Sequence, residues 1–214
     1  MQSSDKGFDE GLCSRMAERN SPGIGEALRN GKVAIAGLGG LGSNIAVMLA
    51  RIGVGNLLLV DFDTVEPSNL NRQHYNITHL GMLKADALKS QLDLINPYVD
   101  VQVLSAKVTA ENACEIFGDY EIVVEAFDSA INKAAIVNAL LEGGGKKIVA
   151  ASGMNGYKSS NDIITRRVLK NLYITGDNES APQEGIGFMA PRVSICAGHQ
   201  ANMVVRLLVG IEEA

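Results

Sequence analysis

The chain has 214 residues, 46% of them hydrophobic, with 24 acids against 19 bases and a net charge of −5. That length supports one sizeable core and one domain, and the acidic balance argues against a general binder of nucleic acid or anionic membrane. No stretch reaches the roughly 18 uninterrupted apolar residues of a membrane span, and residues 1–6 lack an apolar targeting core, so the chain reads as cytoplasmic.

In chain order, residues 8–20 read as a helix or arm with Leu12 and Met16 at helical spacing, broken by Asn20-Ser-Pro-Gly23. Residues 1–30 are taken as an N-terminal arm suited to dimer contact, and 31–214 as the main domain. Strands are predicted at 32–36, 56–60, 100–104, 121–126 and 147–151, with helices at 41–52, 82–95, 109–117 and 130–142 between them. Pro97 stops the second of these helices and Gly143-Gly-Gly145 the fourth. From Ser152 to Arg192 the polar, glycine-containing sequence reads as short strands and a mobile crossing segment, and 195–209 as a closing helix. The alternation predicts an α/β fold: a Rossmann-like, doubly wound, mainly parallel sheet with a crossing loop and a C-terminal helix.

The strongest local signal is Val33-Ala-Ile-Ala-Gly37-Leu-Gly39-Gly40-Leu-Gly42, a β-branched strand, a glycine turn and a helix start. Such a turn aims free backbone N–H groups at an anion, with Gly37 and Gly39 leaving room for turn and ligand and Gly42 for helix against strand. Asp61 follows about 20 residues on, at the end of the next strand, where a carboxylate accepts from ribose hydroxyls. The continuation Asp61-Phe-Asp63-Thr-Val-Glu-Pro-Ser68-Asn69-Leu-Asn-Arg72-Gln73, with Lys84 at a helix start, adds two cations that suit a triphosphate better than a dinucleotide. Asp128 ends the fourth strand on the same sheet edge. From spacing alone it is equally a helix cap or a ligand.

From about Arg19 onward the chain resembles the ThiF/MoeB group of ubiquitin-activating-type enzymes, which adenylate the C-terminal glycine of a small ubiquitin-like carrier. The resemblance rests on Gly-Leu-Gly-Gly-Leu-Gly, Asp-Phe-Asp-x-Val-x-x-Ser-Asn-Leu-x-Arg-Gln, Gly81-Met-Leu-Lys84, Asn96-Pro97 and Ala126-Phe127-Asp128-Ser129, in the family's order. Within the group, Ser68-Asn-Leu-Asn-Arg-Gln73 and the ending Ala190-Pro-Arg-Val193 to Asn202 look most like short ThiF-type proteins acting on the thiamine sulfur carrier ThiS. The resemblance implies ATP as substrate, magnesium on Asp128, and a nucleotide site drawn from Gly37, Gly39, Gly40, Gly42, Asp61, Asp63, Ser68, Asn69, Arg72, Gln73, Lys84 and Ser129. It further implies catalysis by Arg72, Lys84 and Asp128, a homodimer, and a trans-acting arginine from the arm, with Arg19 the first candidate and Arg15 the second.

The chemistry implied is in-line attack of a carrier carboxylate on the α-phosphorus of ATP, releasing pyrophosphate, with no general base because the carboxylate is already ionised. Glu66, Lys107, Lys146 and Lys147 are read as solvated, and His74, His79 and His199 as structural. Cys13, Cys114 and Cys196 are read as reduced thiols; there is no Cys-x-x-Cys pair, so no zinc is expected, and Cys196 reads as a small buried residue rather than a carrier-linking thiol. Residues 153–157 and 185–191 are candidate walls of a channel for a glycine-ended carrier tail. Three alternatives stay open: an NAD-dependent oxidoreductase, an ATP-dependent tRNA base dehydratase of the same superfamily, and a silent carrier-binding scaffold.

Overall fold

The computed structural model describes residues 10–128, 130–180 and 185–214. Seven strands form one sheet in the order β3-β2-β1-β4-β5-β7-β6. The strands are β1 (Lys32–Ala36), β2 (Asn56–Val60), β3 (Asp100–Leu104), β4 (Ile122–Glu125), β5 (Lys147–Ala151), β6 (Ile164–Leu169) and β7 (Leu172–Gly176). All neighbours pair in parallel except β6, which runs antiparallel to β7 at the edge. The five predicted parallel strands are present, and the short strands expected beyond Ser152 are β6 and β7.

Helices cover both faces, as a buried parallel sheet requires. On one face α3 (Gly40–Arg51), α4 (Lys84–Ile95) and α7 (Ala190–Leu208) bury Ile45, Leu49, Leu88, Leu92, Val204 and Leu207 against Val33, Ile35, Leu57 and Leu59. On the other, α5 (Ala113–Ile116) and α6 (Ala130–Gly143) close Phe117, Ile136 and Leu140 over Ala34, Ala36, Val123 and Ile148. Alternate residues of β1 thus feed opposite cores, the period-2 consequence of the pleat. Two short helices, α1 (Glu10–Met16) and α2 (Gly25–Asn30), precede the sheet, and α2 sends Leu28 into the first core. Among the described residues, no helix is long and apolar enough to cross a membrane.

Several boundaries differ from the sequence expectation: α1 ends at Met16 rather than near 20, α2 has no counterpart there, and three further differences have a visible cause. The helix expected over 109–117 contracts to α5, because the Asn112 side chain accepts from Thr109 N–H and donates to the Lys107 carbonyl, holding 107–112 as a turn. The closing helix starts at Ala190, not 195: Pro191 fits the first turn, where its missing N–H costs nothing. The helix expected from 82 begins at Lys84, since Val65 N–H bonds to the Met82 carbonyl and Thr64 bridges to Leu83.

Candidate active site

β1 and β4 lie side by side although β2 and β3 intervene in the chain, so the connections leave them in opposite directions and open a crevice at their carboxyl ends. A cavity of about 420 Å3 occupies that crevice, large enough for a nucleotide. Its floor is the glycine turn. Gly37 has φ +93°, where side chains are disfavoured, and a Cβ there would also lie 3.0 Å from the Ala126 carbonyl carbon and oxygen. No side chain caps the start of α3, leaving its first N–H groups directed at the cavity.

Gly42 does not line the cavity; it sets the floor. A Cβ at this position would fall 1.8 Å from the Gly37 carbonyl oxygen, so helix and turn can touch only if residue 42 is glycine. Gly42→Ala is expected to destabilise the fold by about 1–3 kcal/mol, read by denaturant unfolding, and to weaken nucleotide binding in parallel.

On the β2 side, Asp61 is buried and accepts from Leu38 N–H at 2.7 Å and Asp63 N–H at 2.8 Å. The Tyr75 hydroxyl donates to the Leu38 carbonyl at 2.9 Å, and burial followed by the nearby Asp61 charge holds its pKa far above the usual phenol range. Lys84, buried at the start of α4, pairs with Asp63 at 2.9 Å. Arg72 lays its aliphatic stem beside Gly40, where a Cβ would be 3.4 Å from Arg72 Cγ, and its guanidinium lies over the Phe188 ring at 5.3 Å. The crossing loop therefore packs on Arg72. Gln73 lines the cavity with its Oε1 buried and unpartnered.

Ser68 and Asn69 stand behind this surface. Asn69 Oδ1 accepts from Glu66 N–H at 3.1 Å, and the Ser68 carbonyl accepts from Arg72 Nη1 at 3.2 Å, so they shape the 66–73 turn that presents Arg72. Asp128 is exposed at the rim and forms no hydrogen bond or ion pair with another described residue. Ser129 lies outside the described residues. Among the described residues, no three His, Cys, Asp or Glu side chains cluster as a metal cage. A carboxylate without a partner among the described residues, beside the glycine turn, suits a hard cation such as magnesium, which keeps most of its waters.

Arg19 is not brought to this cavity. The adjacent Asn20 donates to the Ile52 carbonyl at the far end of α3, about 18 Å of helix from the glycine turn. Several lining residues had no site role in the sequence reading: Lys107, expected on a solvated face, sits exposed at the mouth, and Asn132 and Lys133 also contribute, while Asn155 comes from the segment expected as a channel wall. Lys146, also read as solvated, donates to the carbonyls of Phe117, Gly118 and Tyr120 and so anchors the segment after α5. Cys196 is fully buried, and burial pushes its thiol up to about 12, which keeps it an inert packing residue at neutral pH.

A model of the ThiF family matches residues 15–214. The chain belongs to the ThiF family. It is 32% identical over 192 residues to the adenylyltransferase and sulfurtransferase UBA4 of Candida glabrata, an alignment covering 86% of this chain and 44% of that protein. To the molybdopterin-synthase adenylyltransferase of Haemophilus influenzae it is 42% identical over 105 residues, 49% of this chain and 43% of that one. The chain thus spans less than half the length of these curated relatives. In structure it is similar to the E. coli tRNA N6-threonylcarbamoyladenosine dehydratase TcdA, solved in complex with ATP, with a TM-score of 0.83 at 21% identity over 92% of this chain and 93% of that one. That likeness establishes the fold.

Proposed function

We propose that the chain is an ATP-dependent adenylyltransferase that activates the C-terminal glycine of a ubiquitin-like sulfur carrier, and that a ThiS-like carrier of thiamine thiazole synthesis is its substrate. The observation that carries this reading is the convergence of Gly37–Gly40, Asp61, Arg72, Lys84 and Asp128 on one cavity. Adenylyltransferase names among the relatives, and ATP in the solved TcdA complex, support it.

In this reading Asp61 takes the ribose hydroxyls and the α3 N-terminus takes the phosphates. Arg72 and Lys84 then draw off charge as the carrier carboxylate attacks the α-phosphorus and pyrophosphate departs. Magnesium held by Asp128 would supply further charge neutralisation between two anions that otherwise repel. Lys84 has to exchange part of its contact with Asp63 for phosphate, which a solvent-facing Asp63 permits. The carrier tail enters between residues 153–157 and the 185–189 segment, which are joined where Gly156 N–H donates to the Gly187 carbonyl. Because Arg19 lies at the other end of α3, any role in catalysis falls to a second copy's arm, so a homodimer is part of the proposal.

The test is magnesium-dependent exchange of labelled pyrophosphate into ATP, with and without a carrier ending in Gly-Gly. Exchange that requires the carrier supports the proposal, and removal of the terminal glycine should abolish it. No exchange with ThiS-like, molybdopterin-type and tRNA-thiolation carriers alike rejects the adenylyltransferase reading and leaves the tRNA-directed branch to be assayed.

A further inference from the structure

Among the described residues Asp128 has no side-chain hydrogen bond or ion pair, so its placement depends on the backbone that carries it. That backbone is tied down on both sides of one residue. Glu125, the last residue of β4, is fully buried, and its Oε1 accepts from Phe127 N–H at 2.8 Å. Lys133, one turn into α6, reaches back so that its Nζ donates to the Phe127 carbonyl at 3.1 Å and lies 3.1 Å from Glu125 Oε2. Both polar groups of Phe127 are thereby bonded to the two members of one ion pair. The Ala126–Phe127 peptide cannot rotate without stripping the buried Glu125 carboxylate of a partner, nor the Phe127–Asp128 peptide without stripping the mostly buried Lys133 ammonium of one.

The same clamp is fixed to the rest of the crevice. The Ala126 carbonyl packs against Gly37, and Gln200 of α7 donates to the Glu125 carbonyl at 3.2 Å. Burying a charge pair costs desolvation that apolar residues of similar size would avoid, so stability alone does not favour charges here. A pair that also orients a peptide bearing an unanchored carboxylate has a different use. We infer that Glu125 and Lys133 form a positioning pair that fixes the Phe127–Asp128 peptide, and through it the Asp128 carboxylate, for the divalent cation that accompanies ATP. This inference rests on the adenylyltransferase reading.

The experiment measures Mn2+ binding by electron paramagnetic resonance in the presence of a non-hydrolysable ATP analogue, alongside metal-free binding of that analogue. The variants are Lys133→Met, Lys133→Arg and the double variant Glu125→Gln/Lys133→Met. The double variant removes both charges and so leaves no unpaired ion to unfold the chain. Lys133→Met and the double variant are expected to weaken Mn2+ by at least about tenfold, as loss of a partner behind a metal ligand does, several-fold more than any loss of metal-free nucleotide affinity that follows from taking a cation out of the cavity lining. Lys133→Arg, which keeps charge and donors, should recover most of the Mn2+ affinity. Amide hydrogen exchange at Phe127 in the free protein should quicken in Lys133→Met and the double variant. Wild-type Mn2+ affinity in the double variant overturns the inference alone. Equal loss of metal-free nucleotide binding also overturns it, by reducing the pair to a structural brace. A parent protein that binds the nucleotide analogue neither alone nor with Mn2+ overturns the adenylyltransferase reading as well.

Discussion

Replacing Asp128 with Ala is expected to lower carrier-dependent pyrophosphate exchange by about 10²–10³-fold, the loss typical when one group stabilising transition-state charge is removed. The fold should not notice. Asp128 is exposed and makes no hydrogen bond or ion pair with another described residue, so its truncation falls in the class of surface changes worth less than about 0.5 kcal/mol. Unchanged thermal unfolding with collapsed exchange would assign the residue to chemistry. Arg72→Ala should also depress exchange, but with a second effect: it removes the guanidinium from Phe188 and so frees the crossing loop, raising the apparent KM for the carrier as well as slowing the step. Exchange at the parent rate in Asp128→Ala rejects the assignment of this carboxylate to magnesium.

The residues of this site that could be read from sequence are those whose role depends on neighbours in the chain. Gly37 to Gly42 form their cradle within six positions, and Asp61 reaches it because the βα unit that begins at β1 returns β2 alongside β1. The β-branched runs and their spacing sufficed for the same reason: the core faces of β1 and β2 are local patterns. What could not be read was pairing across the fold. Lys133 carried no sequence signal of its own, and only the turn of α6 sets it against the strand-end carboxylate of Glu125; Lys107, read as solvated and exposed, stands at the mouth of the cavity, a position its sequence neighbours do not encode. Asn112 cut α5 short by competing for backbone groups, a side-chain effect to which hydrophobic periodicity is blind. Arg19 differs again: the resemblance gave it a role only from a second copy's arm, and its own chain holds it at the opposite end of α3.

Arg192→Met is expected to be the most destabilising of the single substitutions considered, because it breaks a pair whose side chains are 3% and 5% exposed. The Arg192 guanidinium bonds to Asp177 and, through Nη1, to the Ser159 carbonyl at 2.9 Å. It thereby ties the first turn of α7 to the end of β7 and to the loop after β5, three elements that bound the crossing-loop side of the site. Removing one member of such a pair leaves an uncompensated buried charge and costs about 3–5 kcal/mol. The pH dependence follows from Asp177. Burial works against its ionisation, but hydrogen bonds from Ser180 and the Glu179 N–H, with the Arg192 charge, outweigh it and hold the carboxyl at about 2 against an ordinary 3.8. A carboxyl depressed in the folded state contributes stability that is complete above the unfolded value and drains as pH falls from 3.8 towards 2. In Arg192→Met that acid limb should move to higher pH, since the cation is gone while the Ser180 and Glu179 bonds remain. Adding Asp177→Asn should restore part of the lost stability and flatten the limb, measured as denaturation midpoints across pH 2–7. An acid limb unmoved by Arg192→Met would mean that the Ser180 and Glu179 bonds alone set the ionisation of Asp177, and that Arg192 holds α7 through Ser159 rather than through charge.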